Sequence, residues 1–87
     1  MTYKFQGSLY RTAREMHDAI ASEWLSAGGL NSAEDQSAIL ADETAEAMAD
    51  EATRWWNLLG VDCGGNRVMP EFDRSALIAA FRRMQGA

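Results

Sequence analysis

Residues 12–29 read TAREMHDAIASEWLSAGG, and this stretch decides the fold. Thr12-Ala13-Arg14-Glu15 has the capping-box form: a hydroxyl that accepts the backbone N–H three residues on, and a carboxylate that reaches back. From there Ala13, Met16, Ile20, Trp24 and Ala27 recur at helical period on one narrow stripe. Glu15, Asp18, Ser22 and Ser26 lie on the other side. Gly28-Gly29 is expected to stop the helix by supplying a left-handed cap, a conformation that costs glycine nothing. A helix with one apolar stripe needs neighbours to cover it, and the rest of the chain supplies them.

Upstream, Tyr3 and Phe5 alternate with Lys4, and Gln6-Gly7 suits a tight turn before Ser8-Leu9-Tyr10. A short β-hairpin is expected, and a lone hairpin is marginal in water unless it packs on the helices. Downstream, Asn31 or Ser32 can cap a second helix toward Leu40, with Glu34 and Asp35 favoured by the dipole in its first turn. From Glu43 to Leu59, Ala45, Met48, Ala49, Ala52, Trp55, Trp56 and Leu59 share one arc, with Leu58 and Ala47 outside it. Gly60 stops this stretch. Residues 33–59 form either one long helix, joined by the alanines at 38, 41 and 45, or two with a bend near Asp42, which could cap the new start. Residues 60–70 are expected to be a loop on their Gly and Pro content. Asp73 then caps a last helix, Phe72 stapling onto Leu77, with Leu77, Ile78, Phe81 and Met84 as its buried face. Arg82 and Arg83 sit near its C-terminal end, where the dipole favours cations. The expected architecture is mainly α (α+β): a short N-terminal hairpin packed on a bundle of three to four helices, one domain over residues 1–87.

At 87 residues the chain has length for one domain with a limited core. The single cysteine, Cys63, cannot form a disulfide within the chain, which points to a reducing compartment. No apolar run approaches the roughly 20 residues that span a bilayer, and the N-terminus lacks the apolar core of a signal peptide. The expectation is a cytoplasmic protein, in a bacterial host cell on the resemblance given below, with no membrane contact.

The net charge of −5 hides a lopsided pattern. Glu15, Asp18, Glu23, Glu34, Asp35, Asp42, Glu43, Glu46, Asp50 and Glu51 form a block of ten acids with no Lys or Arg from Glu15 through Thr53. All eight basic residues stand in the flanks, beside Asp62, Glu71 and Asp73. Asp42, Glu46 and Asp50 are four residues apart, hence on one helical face at about 6 Å per step, with Glu43 beside them. Like charges at that spacing cost a few tenths of a kcal/mol per pair, and no lysine at i+4 relieves them. A solvated face explains many charge runs. An unneutralised row has a more particular use: proteins that hold nucleic acid line their grooves with Lys and Arg, and a row of carboxylates can occupy such a groove. Asp42, Glu43, Glu46, Asp50 and Glu51 are the expected partner-binding residues, with Glu34 and Asp35 next. Basic residues are few and only Arg82-Arg83 are adjacent, so direct binding of DNA or RNA is not expected.

Other residues carry less. His17, the only histidine, lies at the edge of the first stripe; it has a side chain suited to general-base work, but no motif places a nucleophile or metal-binding pair with it. Cys63 has no neighbouring His or Lys in sequence to lower its pKa. Gly64-Gly65-Asn66 is too short for a phosphate loop. No catalytic residue, metal ligand or cofactor is expected. Trp55 and Trp56 stand at opposite edges of the apolar arc, so one is expected in the core and the other at the rim, as a possible aromatic anchor.

The opening Tyr3-Lys-Phe5-Gln-Gly7-Ser-Leu-Tyr10-Arg-Thr12, with Glu15-Met16, Ala19-Ile20-Ala21, Trp24-Leu25 and Gly28-Gly29, resembles small accessory proteins of phages and mobile elements. Size, acidity and the helix-plus-hairpin plan are similar to those of phage anti-CRISPR proteins. The resemblance covers the first third of the chain in pattern and transfers no functional residue. It implies a binding inhibitor that blocks the DNA- or PAM-binding surface of a bacterial CRISPR effector complex. Separately, the chain is expected to be a monomer or weak homodimer. Two other classes stand beside it: an antitoxin-like or accessory interaction module that binds through the Trp55/Trp56 edge, and a small enzyme.

Overall fold

Thr12 starts the first helix because its hydroxyl accepts the Glu15 N–H at 3.1 Å. The return arm is shifted by one residue: the Glu15 carboxylate accepts the N–H of Arg11, at 3.2 Å, rather than that of Thr12. The computed structural model describes residues 3–5, 8–59 and 73–86. Along them run β1 (Tyr3–Phe5), β2 (Ser8–Tyr10), α1 (Ala13–Ser26), a 3-10 turn (Ala27–Gly29), α2 (Ala33–Asp42), α3 (Ala45–Leu59) and α4 (Arg74–Gly86). This is the mainly helical small bundle that the sequence implies. The expected Gln6-Gly7 turn, the stop at Gly60, the 60–70 loop with Cys63 and Gly64-Gly65-Asn66, and the Phe72 staple lie outside the described residues.

The end of α1 is built differently from the sequence expectation. Ala27, not a glycine, is the left-handed residue, at φ 48° and ψ 48°, and its N–H donates to the carbonyls of Glu23 and Trp24. Gly29 follows at φ 96°. Asn31 belongs to this terminus: its side chain donates to the Leu25 carbonyl at 3.0 Å and its backbone N–H to that of Ser26 at 2.9 Å. That leaves Ser32 to cap α2, where it exchanges both capping-box hydrogen bonds with Asp35.

Residues 33–59 form two helices. Asp42 is the last residue of α2, Glu43 is extended, and Thr44 caps α3 by accepting the Ala47 N–H at 3.1 Å. Asp42 is therefore not the cap. The break is fastened from outside, because the Gln85 side chain donates to the carbonyls of Leu40 (3.1 Å) and Glu43 (2.6 Å). Two carbonyls that a continuous helix would direct to its own N–H groups are satisfied by α4 instead.

The core is made where α1, α3 and α4 meet. Met16, Ile20 and Ala21 come from α1, the alanines at 45, 49 and 52 with Met48 and Trp56 from α3, and Leu77, Ile78, Ala80 and Phe81 from α4. The alanines keep α3 thin on its buried side, which lets its neighbours approach closely. The buried face of α1 is broader than the stripe read from the sequence, taking in His17, Ala21 and Leu25, while Trp24 is only half-buried. Trp24 meets Phe81 edge-on, ring centroids 5.4 Å apart. The strands pair antiparallel with Tyr3 opposite Tyr10 and Phe5 opposite Ser8. Phe5 reaches the core and meets Trp56 edge-on at 5.0 Å, while Leu9 on the other face is 68% exposed. α2 contributes no wholly buried residue; Ile39 and Leu40 rest against the core from outside. Among the described residues, no helix is long and apolar enough to cross a membrane.

Candidate functional site

α3 and α4 lie side by side and antiparallel. From the α2–α3 junction onward along α3, Glu43, Glu46 and Asp50 meet Gln85, Arg82 and Arg74 in falling order. This register overturns the expectation of an unneutralised row on α3. Asp50 receives a fork of two hydrogen bonds from Arg74, Nε to Oδ1 at 2.8 Å and Nη2 to Oδ2 at 3.2 Å. Glu46 pairs with Arg82. On α1, Asp18 pairs with Arg83. Glu51 has only the marginal reach of Arg54, 4.0 Å away and three residues on along the same helix.

The electrostatics follow this geometry. The guanidinium of Arg74 donates to Asp50 and holds its carboxyl below the ordinary value of 3.8; Arg74 in turn is raised. Glu46 is held below 4.5, first by a hydrogen bond from its own backbone N–H and then by Arg82. Two of the five residues assigned to the α3 row are thus occupied inside the molecule. Within a helix, spacing alone could not reveal this, since the partners are 24 and 36 residues away. The arginines at 74 and 82 were the available signal, once the apolar faces of α3 and α4 are set against each other.

On α1, Glu15 and Glu23 make no ion pair among the described residues, and the largest group of unneutralised acids lies around α2. Glu34, Asp35, Asp42 and Glu43 are all exposed, and none makes an ion pair among the described residues. Asp35 also accepts the Ser32 N–H at 3.1 Å as part of the cap. Three of these residues are on α2 with half-buried Ile39 and Leu40, and Glu43 directly follows its end; together they are the acidic group that the fold presents at α2.

His17 is not at a rim. It is 3% exposed, with Nδ1 2.6 Å from the Ala13 carbonyl and Nε2 3.1 Å from the Asp73 nitrogen. A carbonyl can only accept and a backbone N–H can only donate, so Nδ1 carries the proton and Nε2 is the acceptor. Both ring nitrogens are thereby used, Nδ1 within α1 and Nε2 in joining α1 to the start of α4, which suits a structural role rather than a general base. Trp56 is the buried member of the tryptophan pair, 6% exposed, and Trp55 the half-buried one, edge-on to it at 4.7 Å. Among the described residues, the Trp56 Nε1 has no hydrogen-bond partner. No group of three His, Cys, Asp or Glu among the described residues is arranged to hold a metal ion. Comparison with known proteins finds no matching family, no similar curated protein and no similar solved structure.

Proposed function

We propose that this chain is a small binding inhibitor that covers a basic, nucleic-acid-binding surface of another protein, and that its contact surface is α2 with the α2–α3 junction rather than the length of α3. The observation that carries this reading is the contrast between the two helices. Asp50 and Glu46 on α3 have arginine partners, whereas Glu34, Asp35, Asp42 and Glu43 keep their charge exposed and unpaired among the described residues. Carboxylates without internal partners are the ones able to exchange water for the lysines and arginines of a partner. The CRISPR effector complexes implied by the N-terminal resemblance are one class of such partner.

The test is capture from bacterial lysate on the immobilised protein, followed by elution with rising salt. Reversal of Glu34, Asp42 and Glu43 to lysine is expected to abolish capture, and the captured protein should lose nucleic-acid binding when this chain is added. Retention that ignores both the reversal and the salt would overturn the reading. It would favour instead an apolar contact, for which half-buried Trp55 is the candidate anchor.

A further inference from the structure

Between the C-terminal half of α2 and the last turn of α4, the surface dips into an open groove of about 250 Å³, lined by Ser37, Leu40, Ala41, Met84 and Gln85. Leu40 and Met84 are half-buried against the core and supply its apolar surface. Gln85 fixes its shape by holding the carbonyls of Leu40 and Glu43. The volume falls below the roughly 300–1,000 Å³ of sites built for small molecules. At roughly 30 Å³ per water it equals only a handful of waters, a space on the scale of a side chain.

The charge around the groove selects what that side chain belongs to. Glu34 lies one turn before Ser37 on α2, and Glu43, just past the end of α2, follows Leu40 by three positions, so a carboxylate stands toward each end of the groove's α2 wall. No Lys or Arg occurs from Glu15 through Thr53, and the neighbouring arginines of α4, Arg82 and Arg83, are engaged with Glu46 and Asp18. A second copy of this acidic chain would meet repulsion at this rim; a cationic segment would meet none.

We propose that the groove receives one aliphatic side chain from a basic peptide segment of the partner protein, with the flanking lysines or arginines of that segment meeting Glu34 and Glu43. This rests on the reading of α2 as the contact surface, and it adds that charge alone does not make the contact. Burying one leucine supplies discrimination that a run of lysines lacks, on the order of tenfold or more in affinity.

The test uses the isotopically labelled full chain and a capped pentapeptide with one leucine between two pairs of lysines. A second peptide has alanine in place of the leucine. The leucine peptide is expected to shift the amide signals of Ser37, Leu40, Ala41, Met84 and Gln85 and to bind at least about tenfold more tightly than the alanine peptide. Ala41→Trp fills the groove from an exposed position and should bring the two peptides to equal affinity; Ser37→Phe repeats this should Ala41→Trp fail to fold. Equal affinity of the two peptides for the unaltered chain, signal shifts scattered over all the acids, or indifference to both groove-filling variants would overturn the proposal. If the peptides bind equally but both are lost with Glu34→Lys and Glu43→Lys, the groove fails while the acidic contact surface stands. If lysate capture also ignores the α2 reversals, both fail.

Discussion

His17 on α1 accepts the backbone N–H of Asp73 through Nε2, at 3.1 Å, so a side chain of the first helix supplies an acceptor at the start of the last. Asp73 adds its own carboxylate to the Ser75 N–H at 2.8 Å. His17→Leu keeps most of the volume and removes both ring hydrogen bonds. It is expected to destabilise the fold by roughly 1–3 kcal/mol, the cost of leaving buried partners unsatisfied. Urea titration followed by circular dichroism measures this, and an unchanged midpoint would remove the structural role assigned to His17.

Ala27 offers a change in the other direction. It is the only described residue other than glycine at positive φ, and L-residues pay a steric penalty there. Ala27→Gly should raise stability by about 0.5–1 kcal/mol, since the helix end is gained without that penalty and without loss of a core contact. A lower melting temperature for this variant would mean that the left-handed turn is not maintained in solution.

The α3–α4 seam predicts an acid-sensitive stability. Asp50 and Glu46 are held below 3.8 and 4.5, so they bind protons more weakly folded than unfolded. Their contribution is then complete above those values and is lost as pH falls through the lower folded ones. The thermal midpoint should change little from pH 7 to about 5 on their account and decline below about 4. The double variant Glu46→Gln, Asp50→Asn should show a shallower decline over the acid range. Identical profiles for the two proteins would show that the pairs do not persist in solution.

Phe81 is wholly buried and carries the edge-on contact with Trp24. Phe81→Ala removes about 3–5 kcal/mol by lost transfer energy and cavity formation. A chain of 87 residues has a total stability on the order of 4–13 kcal/mol. The variant is therefore expected to lie at the edge of folding, with thermal unfolding near or below room temperature at the low end of that range. Retention of a wild-type melting curve would place Phe81 outside the core.

The order of the helices was legible because it is written in local pattern. The apolar positions of α1, α3 and α4 repeat at helical period, and Thr12, Ser32 and Asp73 are short polar residues at the starts of α1, α2 and α4. The junction between α2 and α3 was less so. Asp42 and Thr44 are both good caps two residues apart, and the break that sets Thr44 as the cap is held at the carbonyls of Leu40 and Glu43 by Gln85, more than forty positions away. Long-range partners also explain why the acidic row was misread. Along the chain, Glu46 has no basic neighbour at helical spacing and Asp50 has only Arg54 four residues on, which forms no ion pair with it among the described residues; the antiparallel packing of α4 brings Arg82 and Arg74 to them. For His17, the narrow stripe drawn through Met16 and Ile20 left it at an edge, whereas the packed helix buries a wider sector through Ala21 and Leu25.

Seven of the ten residues of α2 are exposed and none is wholly buried. The three-helix core would register little of what is written at those seven positions, provided the Ser32 cap and the Gln85 clasp are kept. On the proposed reading of α2 as the contact surface, foldability and recognition would be lodged in different parts of the chain. Under that reading, a lineage carrying this scaffold could rewrite the exposed positions of α2 while the bundle beneath it stays the same.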